Sequence, residues 1–384
     1  MSVRHLRIFI ELVFYCFCLP FSVVWGLPIW GALDFGSFYA SGAAAAEGLN
    51  PYGVYDLTFR VRTEWFTGVN NNLNPPTALP LFELLSTFPI ATAFMIWWWI
   101  SLSFAIALII LLCRQYSDRI ESTMVLWLVA LAALWDTLHL GQIYMPLALA
   151  SATAWVLIRR NQNLVVAGIL IGFIAAIKPN FLVWPVLLFC AGHYRIALSS
   201  LATTFLLVLV SISVYGVETY VQWFELLASE ESRAAFPTNG SLGGFLVRLG
   251  IPEAGTPLSA FLLVLTAYIA FVKRPSKLKI SAYALIMSLL ASPIAWGQYA
   301  LFLAPIMVHA WQRREIYGLI AGLGMVIPLE VFVWTSPDHT ISMLTLGSSY
   351  FWIFLSLLML VYRTNDLWGE ASGTPKTDKA VAGG

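Results

Sequence analysis

The 384-residue sequence is poor in charge, since only 11% of its residues are Asp, Glu, Lys or Arg, against about 25% in a soluble domain. It is also poor in cysteine, and its four cysteines lie in or at the ends of apolar segments, so we expect no disulfide framework. With 59% hydrophobic residues, the chain carries more apolar surface than a soluble fold can bury. The sequence therefore predicts an all-α, polytopic membrane protein.

Several chemistries lack their sequence signals. The chain contains no HExxH motif, no cluster of cysteines and histidines and no Walker loop, and its five histidines are scattered, so we predict no metal and no cofactor. It has no basic stripe, which argues against nucleic acid as a partner. We find no internal repeat, which argues mildly against a transporter built from inverted halves.

Apolar segments predict about twelve crossings of the membrane. They lie at about 8–30, 90–113, 121–139, 143–159, 164–177, 180–193, 196–216, 257–273, 280–294, 298–312, 316–334 and 347–362. Several are shorter than the roughly 20 residues that a straight span needs. The short segments flank Gly141-Gln142, Lys178-Pro179 and Ser292-Pro293. Broken helices are tolerated where their backbone lines a polar cavity, so we expect these three breaks to mark a site.

Lysine and arginine counts predict the orientation. With the amino terminus inside, sixteen of these residues fall on the inner side and five on the outer side, which is a strong positive-inside bias. Both termini are then cytoplasmic in a bacterial inner membrane, and the loops 31–75 and 217–256 and the three breaks lie on the outer face. We expect residues 1–366 to form one transmembrane domain with short interfacial helices in the outer loops. We expect 367–384 to be a disordered tail.

Asp34 is the most informative residue, because it stands at the end of the first apolar segment, before an aromatic loop that contains glycine. A carboxylate at that boundary is suited to act as a general base beside a lipid-borne substrate. The alternative is a carboxylate that ends a helix and faces water. After it, the small residues Ala43 to Ala46 predict a short interfacial helix that Gly48 ends, which would cover whatever Asp34 faces.

Two basic residues are candidates to bind a phosphate. Lys178 stands between two apolar runs, so it either snorkels to the outer interface or binds a lipid phosphate. Arg248 follows a turn-rich polar stretch, 237–244, in the second outer loop. The other candidate residues are amides, hydroxyls and aromatic residues that suit sugar binding, although each also fits a loop, a helix cap or an interface. They are Tyr39, Asn74, Gln142, Asn239, Ser241, Trp296, Gln298 and Tyr299.

The candidate motifs follow one another in a recognisable order. They are Asp34 with Tyr39 and Gly48-Leu49-Asn50-Pro51-Tyr52, then Asn74-Pro75-Pro76, Gly141-Gln142, Gly168 to Lys178, Asn239-Gly240-Ser241, and Ser292-Pro293 to Tyr299. In this order, over roughly 30–310, the chain resembles the GT-C class of integral membrane glycosyltransferases, which use polyprenyl-phosphate sugars. Within that class it is most similar to family 87, which includes mannosyl- and arabinofuranosyltransferases. The family often has a histidine after Ser-Pro-x-x-Trp, where this chain has Gln298.

The resemblance implies a reaction and its partners. A sugar, with a hexose such as mannose as the first expectation, would pass with inversion from a polyprenyl phosphate in the outer leaflet to a lipid or glycan acceptor. In the family the first outer loop carries the catalytic carboxylate, which maps onto Asp34. Lys178 and Arg248 would stabilise the departing phosphate.

Two other functions stay open at this stage. A lipid-linked-sugar transporter or flippase also needs many spans, broken helices and a buried cation, but its polar groups belong near the middle of the membrane. A scaffold without catalysis would tolerate the loss of Asp34.

Overall fold

A computed structural model describes residues 3–28, 33–58, 60–62, 67–229, 231–313, 315–335 and 340–368. In this part of the chain the α-helices are Val3–Gly26, Leu33–Ala46, Leu79–Ser86, Ile90–Gln115, Ser122–Ala130, Ala132–Leu140, Tyr144–Arg159, Leu164–Ile177, Val183–Cys190, Tyr194–Ser229, Leu242–Arg248, Gly255–Lys273, Lys277–Leu290, Ala304–His309, Glu315–Gly324, Leu329–Trp334, Thr340–Thr345 and Ser349–Arg363. Short 3₁₀ helices are Pro76–Ala78, Ser117–Arg119, Pro179–Leu182, Glu231–Ala235, Pro252–Ala254, Gly297–Leu303, Trp311–Arg313 and Asn365–Trp368. The predicted tail lies, from residue 369 onward, outside the described residues.

The prediction of a helical membrane protein is confirmed. One small departure lies in the first long loop, where the strands Arg60–Arg62 and Thr67–Val69 form an antiparallel hairpin. Arg60 pairs with Val69, and Arg62 pairs with Thr67. Strands of three residues are too short to show the alternation by which a strand is predicted from sequence.

The predicted number of crossings, about twelve, is not established. Six helices in the described ranges are long and apolar enough to cross a membrane, and all six coincide with predicted spans. They are His5–Gly26, Ile90–Gln115, Ser122–Leu140, Tyr194–Ser229, Pro252–Lys273 and Ile341–Arg363. Several of the other predicted spans form shorter apolar helices, among them Tyr144–Arg159 and Leu164–Ile177. Their ends meet at the breaks, which is where the polar cavity described below is found.

Two glycines one turn apart allow two helices to approach closely. Gly168 and Gly172 of Leu164–Ile177 face helix Tyr194–Ser229, and a Cβ atom on Gly172 would lie 2.3 Å from the carbonyl oxygen of Ser200. Small residues at this spacing are a common interface between membrane helices. The hydroxyl of Thr204 also donates to the Gly172 carbonyl over 3.0 Å. This contact fixes helix Leu164–Ile177, and therefore Lys178 at its end, against its neighbour.

The start of the first loop differs from the prediction. The first helix ends at Gly26, because Pro28 disfavours helical backbone at the residue before it. Asp34 therefore lies in the first turn of a separate helix, Leu33–Ala46, and not at the end of the first span. This helix is also longer than the predicted interfacial helix at 43–46. It packs on Leu79–Ser86, with the rings of Phe38 and Phe82 5.0 Å apart.

Candidate active site

A cavity of about 680 Å³ lies where the helix breaks and the two long loops meet. This volume is in the range of small-molecule sites. Its lining comes from six stretches of the chain, each of which carries polar side chains. They are Asp34 and Phe38; Asn70, Asn71, Leu73 and Asn74; Leu140, Gln142 and Tyr144; Ile177, Lys178, Pro179 and Asn180; Trp223, Leu227, Arg233, Ala234, Phe236 and Thr238; and, from the third break, Ser292, Pro293, Ile294, Trp296, Gln298 and Tyr299.

Asp34 is held at this cavity by two side-chain amides. Asn70 Nδ2 donates to Asp34 Oδ1 over 2.5 Å, and Gln142 Nε2 donates to Asp34 Oδ2. Burial raises the pKa of the Asp34 carboxyl above its usual range, whereas these two hydrogen bonds and the positive charges of Arg233 and Lys178 oppose that rise. Each carboxylate oxygen has a second lone pair. Asp34 can therefore accept a proton from a ligand hydroxyl without giving up either amide.

Gln142 reaches Asp34 because of the way in which the preceding helix ends. Helix Ala132–Leu140 ends at Gly141, which has left-handed backbone with φ 69°. The Gln142 N–H donates back to the Thr137 carbonyl over 3.0 Å, in the manner of a glycine-capped helix terminus. A Cβ atom at position 141 would lie 2.6 Å from Phe35 Cβ. Glycine thus allows the chain to turn there while helix Leu33–Ala46, with Asp34, stays in contact.

Lys178 is a buried amine with few partners. Burial lowers its pKa to about 7, and the negative charge of Asp34 opposes that fall. Its Nζ lies 3.4 Å from Tyr144 Oη, 4.7 Å from the centroid of the Tyr144 ring and 5.7 Å from that of Tyr299. Within the part of the chain that the structure describes, no carboxylate lies at ion-pair distance from it. Ring faces stabilise a desolvated cation by about 2 kcal/mol, which is less than a full ion pair in a buried site. The cavity therefore contains a basic side chain with which an anionic group of a ligand can pair.

The loop before Pro75 is held by hydrogen bonds and contributes amides to the cavity wall. Asn72 Oδ1 accepts from the backbone N–H of Asn74 over 3.0 Å and from its side-chain Nδ2 over 2.8 Å. Tyr52 Oη donates to the Asn74 carbonyl over 3.0 Å. Four amide oxygens of cavity-lining residues have no hydrogen-bond partner in the described structure: those of Asn71, Asn74, Gln142 and Gln298. Buried acceptors of this kind call for a donor, and a ligand rich in hydroxyls supplies several.

The third break, Ser292-Pro293, also contributes to the cavity wall. Gln298 Nε2 donates to the carboxylate of Asp136, which is buried behind the cavity. The Tyr299 ring lies 4.8 Å from the Tyr144 ring, and Trp296 packs edge-on against Phe236 at 5.7 Å. All three predicted residues of this segment therefore line the cavity.

Four of the predicted site residues lie elsewhere, and each has a structural contact instead. The hydroxyl of Tyr39 donates to the Phe88 carbonyl over 2.8 Å. Asn239 Oδ1 accepts from the Ser241 and Ala295 N–H groups over 3.1 and 3.0 Å. Ser241 Oγ caps helix Leu242–Arg248 by accepting from the Gly244 N–H over 3.0 Å.

Arg248 is the fourth of these residues. Its guanidinium donates to Ser348 Oγ over 2.8 Å, to the Phe236 carbonyl over 3.1 Å and to the Asn239 carbonyl over 2.8 Å. Burial lowers the pKa of Arg248 to about 10, so it remains charged at neutral pH. It does not line the cavity, and its position does not support the predicted phosphate role. Its hydrogen bonds to the Phe236 and Asn239 carbonyls stabilise the second loop, and its hydrogen bond to Ser348 joins this loop to a distant part of the chain.

Arg233 lies in the cavity wall, although the sequence pattern indicates no role for it. It donates to Asn70 Oδ1 over 3.3 Å and to the Val69 carbonyl over 2.7 Å. Only its residue type could have drawn attention to it, as one of the five basic residues predicted to lie on the outer side. Tyr144 and Trp223 were missed for a different reason, since aromatic residues at helix ends are common in membrane proteins.

The helices and the cavity at their ends define an integral membrane protein with a polar cavity between broken helices. The sequence model of Glycosyltransferase family 87 matches residues 72–293, more than half of the chain, and the protein belongs to that family. The resemblance that the ordered motifs indicated is thereby confirmed, and the protein is a membrane glycosyltransferase. No curated protein and no solved structure matches the chain.

The matched region contains part of the cavity only. Asn74, Gln142, Lys178 and Arg233 lie inside residues 72–293. Asp34 lies before this region, and Gln298 lies after it. The family match therefore does not cover Asp34, and the role proposed for this residue depends on its position in the cavity.

Proposed function

We propose that the protein transfers a sugar, a hexose such as mannose, from a polyprenyl-phosphate donor to a lipid or glycan acceptor at the outer face of the membrane. The observation that carries the proposal is one cavity with two kinds of charge. It contains a carboxylate that is held by two amides, and an ammonium ion without a carboxylate partner among the described residues. Glycosyl transfer from a phosphate needs a base for the acceptor and a cation for the leaving group.

The reaction then has one bond-making and one bond-breaking event. The acceptor oxygen attacks the anomeric carbon as Asp34 takes its proton, and the bond between that carbon and the phosphate oxygen breaks. The electron pair of this bond leaves with the phosphate, where Lys178 offsets the negative charge. Attack from the face opposite the phosphate inverts the anomeric configuration. A phosphate leaves without being protonated, so the mechanism needs no second carboxyl group as an acid.

The lining also favours a lipid-linked donor. The side chains of Leu73, Ile177, Leu227 and Ile294 give the cavity apolar walls beside its amides. A nucleotide sugar would usually call for a soluble binding domain, and the sequence contains no segment of the composition that such a domain needs. The amide oxygens without partners supply acceptors for sugar hydroxyls, as argued above.

Turnover by the purified protein tests this proposal. We expect transfer from polyprenyl-phosphate sugars in a panel that also contains the corresponding nucleotide sugars, with the released polyprenyl phosphate measured beside the glycosylated acceptor. Membranes prepared in the same way without the protein are the control. Transfer from a nucleotide sugar alone, or movement of the lipid-linked sugar across the membrane without transfer, would contradict the proposal.

The predicted orientation requires a separate test. We expect a cysteine introduced at Asn71, in the cavity wall, to react with a reagent that does not cross membranes only when the reagent is added from the outside. The native cysteines are first replaced by serine, and a cysteine at the predicted inner position Arg195 serves as the opposite control. Reaction at position 71 from the cytoplasmic side alone would reverse the orientation and with it the face on which the donor is used.

A further inference from the structure

Arg233 links the two long loops directly beside Asp34. It belongs to the short helix Glu231–Ala235 in the second loop and is almost completely buried. Both of its described acceptors, Asn70 Oδ1 and the Val69 carbonyl, belong to the first loop. Asn70 in turn donates to Asp34. The three side chains therefore form a chain of contacts that ends at the carboxylate.

The chemistry of these groups fixes the direction of each contact. A guanidinium has only donors, and an ionised carboxylate has only acceptors. The amide between them satisfies both neighbours in one orientation, with its oxygen toward Arg233 and its nitrogen toward Asp34. If the amide turned over, its oxygen would face the carboxylate and its N–H groups would face a cation.

The backbone of Asn70 is held by the same helix that carries Asp34. Ser37, three residues after Asp34, donates from its hydroxyl to the Asn70 carbonyl. The main chain of Asn70 is thus fixed by helix Leu33–Ala46, whereas the rotation of its amide is fixed by Arg233. The two contacts together therefore fix both the backbone and the side-chain amide of Asn70.

We propose that Arg233 is a positioning residue, which acts through Asn70 to hold Asp34 in the orientation that accepts the proton. The inference rests on the proposed role of Asp34. Arg233 itself need not touch the sugar or the phosphate. Lys178 has a different proposed role: it lines the cavity at the break Lys178-Pro179 and is the proposed ligand of the phosphate.

Three variants separate positioning from simple charge. Arg233→Gln removes the charge, Arg233→Lys keeps the charge but loses the planar fork, and Asn70→Ala removes the amide. We expect each to lower kcat by about tenfold at high pH, where Asp34 is ionised, because each disrupts a contact that orients the carboxylate; tenfold corresponds to 1.36 kcal/mol. In the Asn70→Ala background, Arg233→Gln should have little further effect on this rate.

The acid limb of the pH–rate profile gives the second readout. Asn70 and the charge on Arg233 both lower the pKa of Asp34, so Asn70→Ala and Arg233→Gln should move the acid limb to higher pH, whereas Arg233→Lys should leave it nearly in place. The other ionisable groups that interact with Asp34 are Lys178, Asp136 and Tyr144, and Glu330 interacts in turn with Asp136. All four are unchanged in the three variants.

The matched control is Arg248→Gln, the same substitution at a buried arginine of the same loop. It should lower the melting temperature, since it breaks three hydrogen bonds, and should not move the acid limb. A normal kcat at high pH in Arg233→Gln and Asn70→Ala would overturn the inference, as would a loss in Arg233→Gln that adds in full to that of Asn70→Ala. If the proposed function itself were wrong, the unmodified protein would not transfer sugar from the lipid donor, and if only the role of Asp34 were wrong, Asp34→Asn would keep its activity. Both results differ from a failure confined to Arg233.

Discussion

We expect the Asp34→Asn protein to lose at least about two decades in kcat, because removing a general base costs about 10²–10⁴ in rate. The substitution keeps the size of the side chain but removes its ability to take a proton at neutral pH. Affinity for the lipid donor should change little, since the proposed phosphate ligand, Lys178, lies on a different stretch of the chain. The measurement is sugar transfer and donor binding on the same purified variant.

The structure also explains why this variant should fold. Asparagine has one acceptor oxygen, whereas both oxygens of Asp34 accept an amide N–H. Asn70 is held in its orientation by Arg233, so the oxygen of the new side chain should stay on that side. Gln142 has an amide oxygen without a partner, and by turning over it can accept from the new amide nitrogen. The melting temperature should therefore stay close to that of the unmodified protein.

Glu47→Gln is the matched control for this prediction. Glu47 is an exposed carboxylate that directly follows helix Leu33–Ala46, and it does not line the cavity. Glu47→Gln makes the same exchange of carboxylate for amide, and the kcat of this variant should equal that of the unmodified protein. Transfer by Asp34→Asn at close to the normal rate would remove the central proposal, and Asp136, which contacts the cavity residue Gln298, would be the next carboxylate to examine.

The sequence was informative where chemistry and helix breaks coincide. Gly141-Gln142, Lys178-Pro179 and Ser292-Pro293 were predicted to mark one site because they interrupt apolar segments. The structure brings residues of all three breaks to one cavity. A break of this kind is visible locally, since it depends on glycine, proline and a polar side chain in an apolar context.

Contacts between distant stretches were not visible in this way. Asn70 pairs with Asp34 over 36 positions of the chain, and Arg233 pairs with Asn70 over 163. A polar residue in a loop has many possible partners, and only the packing of the loops selects one. For the same reason Arg248 was assigned to a phosphate from its charge alone, although its position makes it a donor to carbonyl groups within the protein.

The crossing count shows a limit of a different kind. Hydropathy identifies apolar segments, but it does not tell a short helix that lines a cavity from one that spans the bilayer. Helices such as Tyr144–Arg159 are both apolar and short. Tyr144–Arg159 is largely buried against the rest of the protein, and this burial cannot be read from its composition.

Lys178→Gln should reduce kcat/KM for the lipid donor by about tenfold to a hundredfold, with most of the loss specific to the donor. A charge-assisted hydrogen bond contributes about 1.5–3 kcal/mol, and the Lys178 ammonium has only Tyr144 Oη and two ring faces as described partners. The kcat/KM of Lys178→Arg should fall between those of the unmodified protein and Lys178→Gln, because arginine keeps the charge but places a wider group between Tyr144 and Tyr299. The measurement is initial rates over a range of donor concentrations at saturating acceptor.

The pH of that measurement decides whether it is interpretable. The charge on Lys178 lowers the pKa of Asp34, so removing it favours protonation of the base. Burial lowers the pKa of Lys178 itself to about 7, so the rates must be compared at a pH where Asp34 is ionised in both proteins and Lys178 still carries its proton in the unmodified one. Lys279→Gln is the matched control, because Lys279 also lies over a tyrosine ring, 5.8 Å from the Tyr283 centroid, but outside the cavity. Unchanged kcat and KM for the donor in Lys178→Gln would show that Lys178 is held by its aromatic neighbours for stability alone, and the leaving phosphate would then need a different cation.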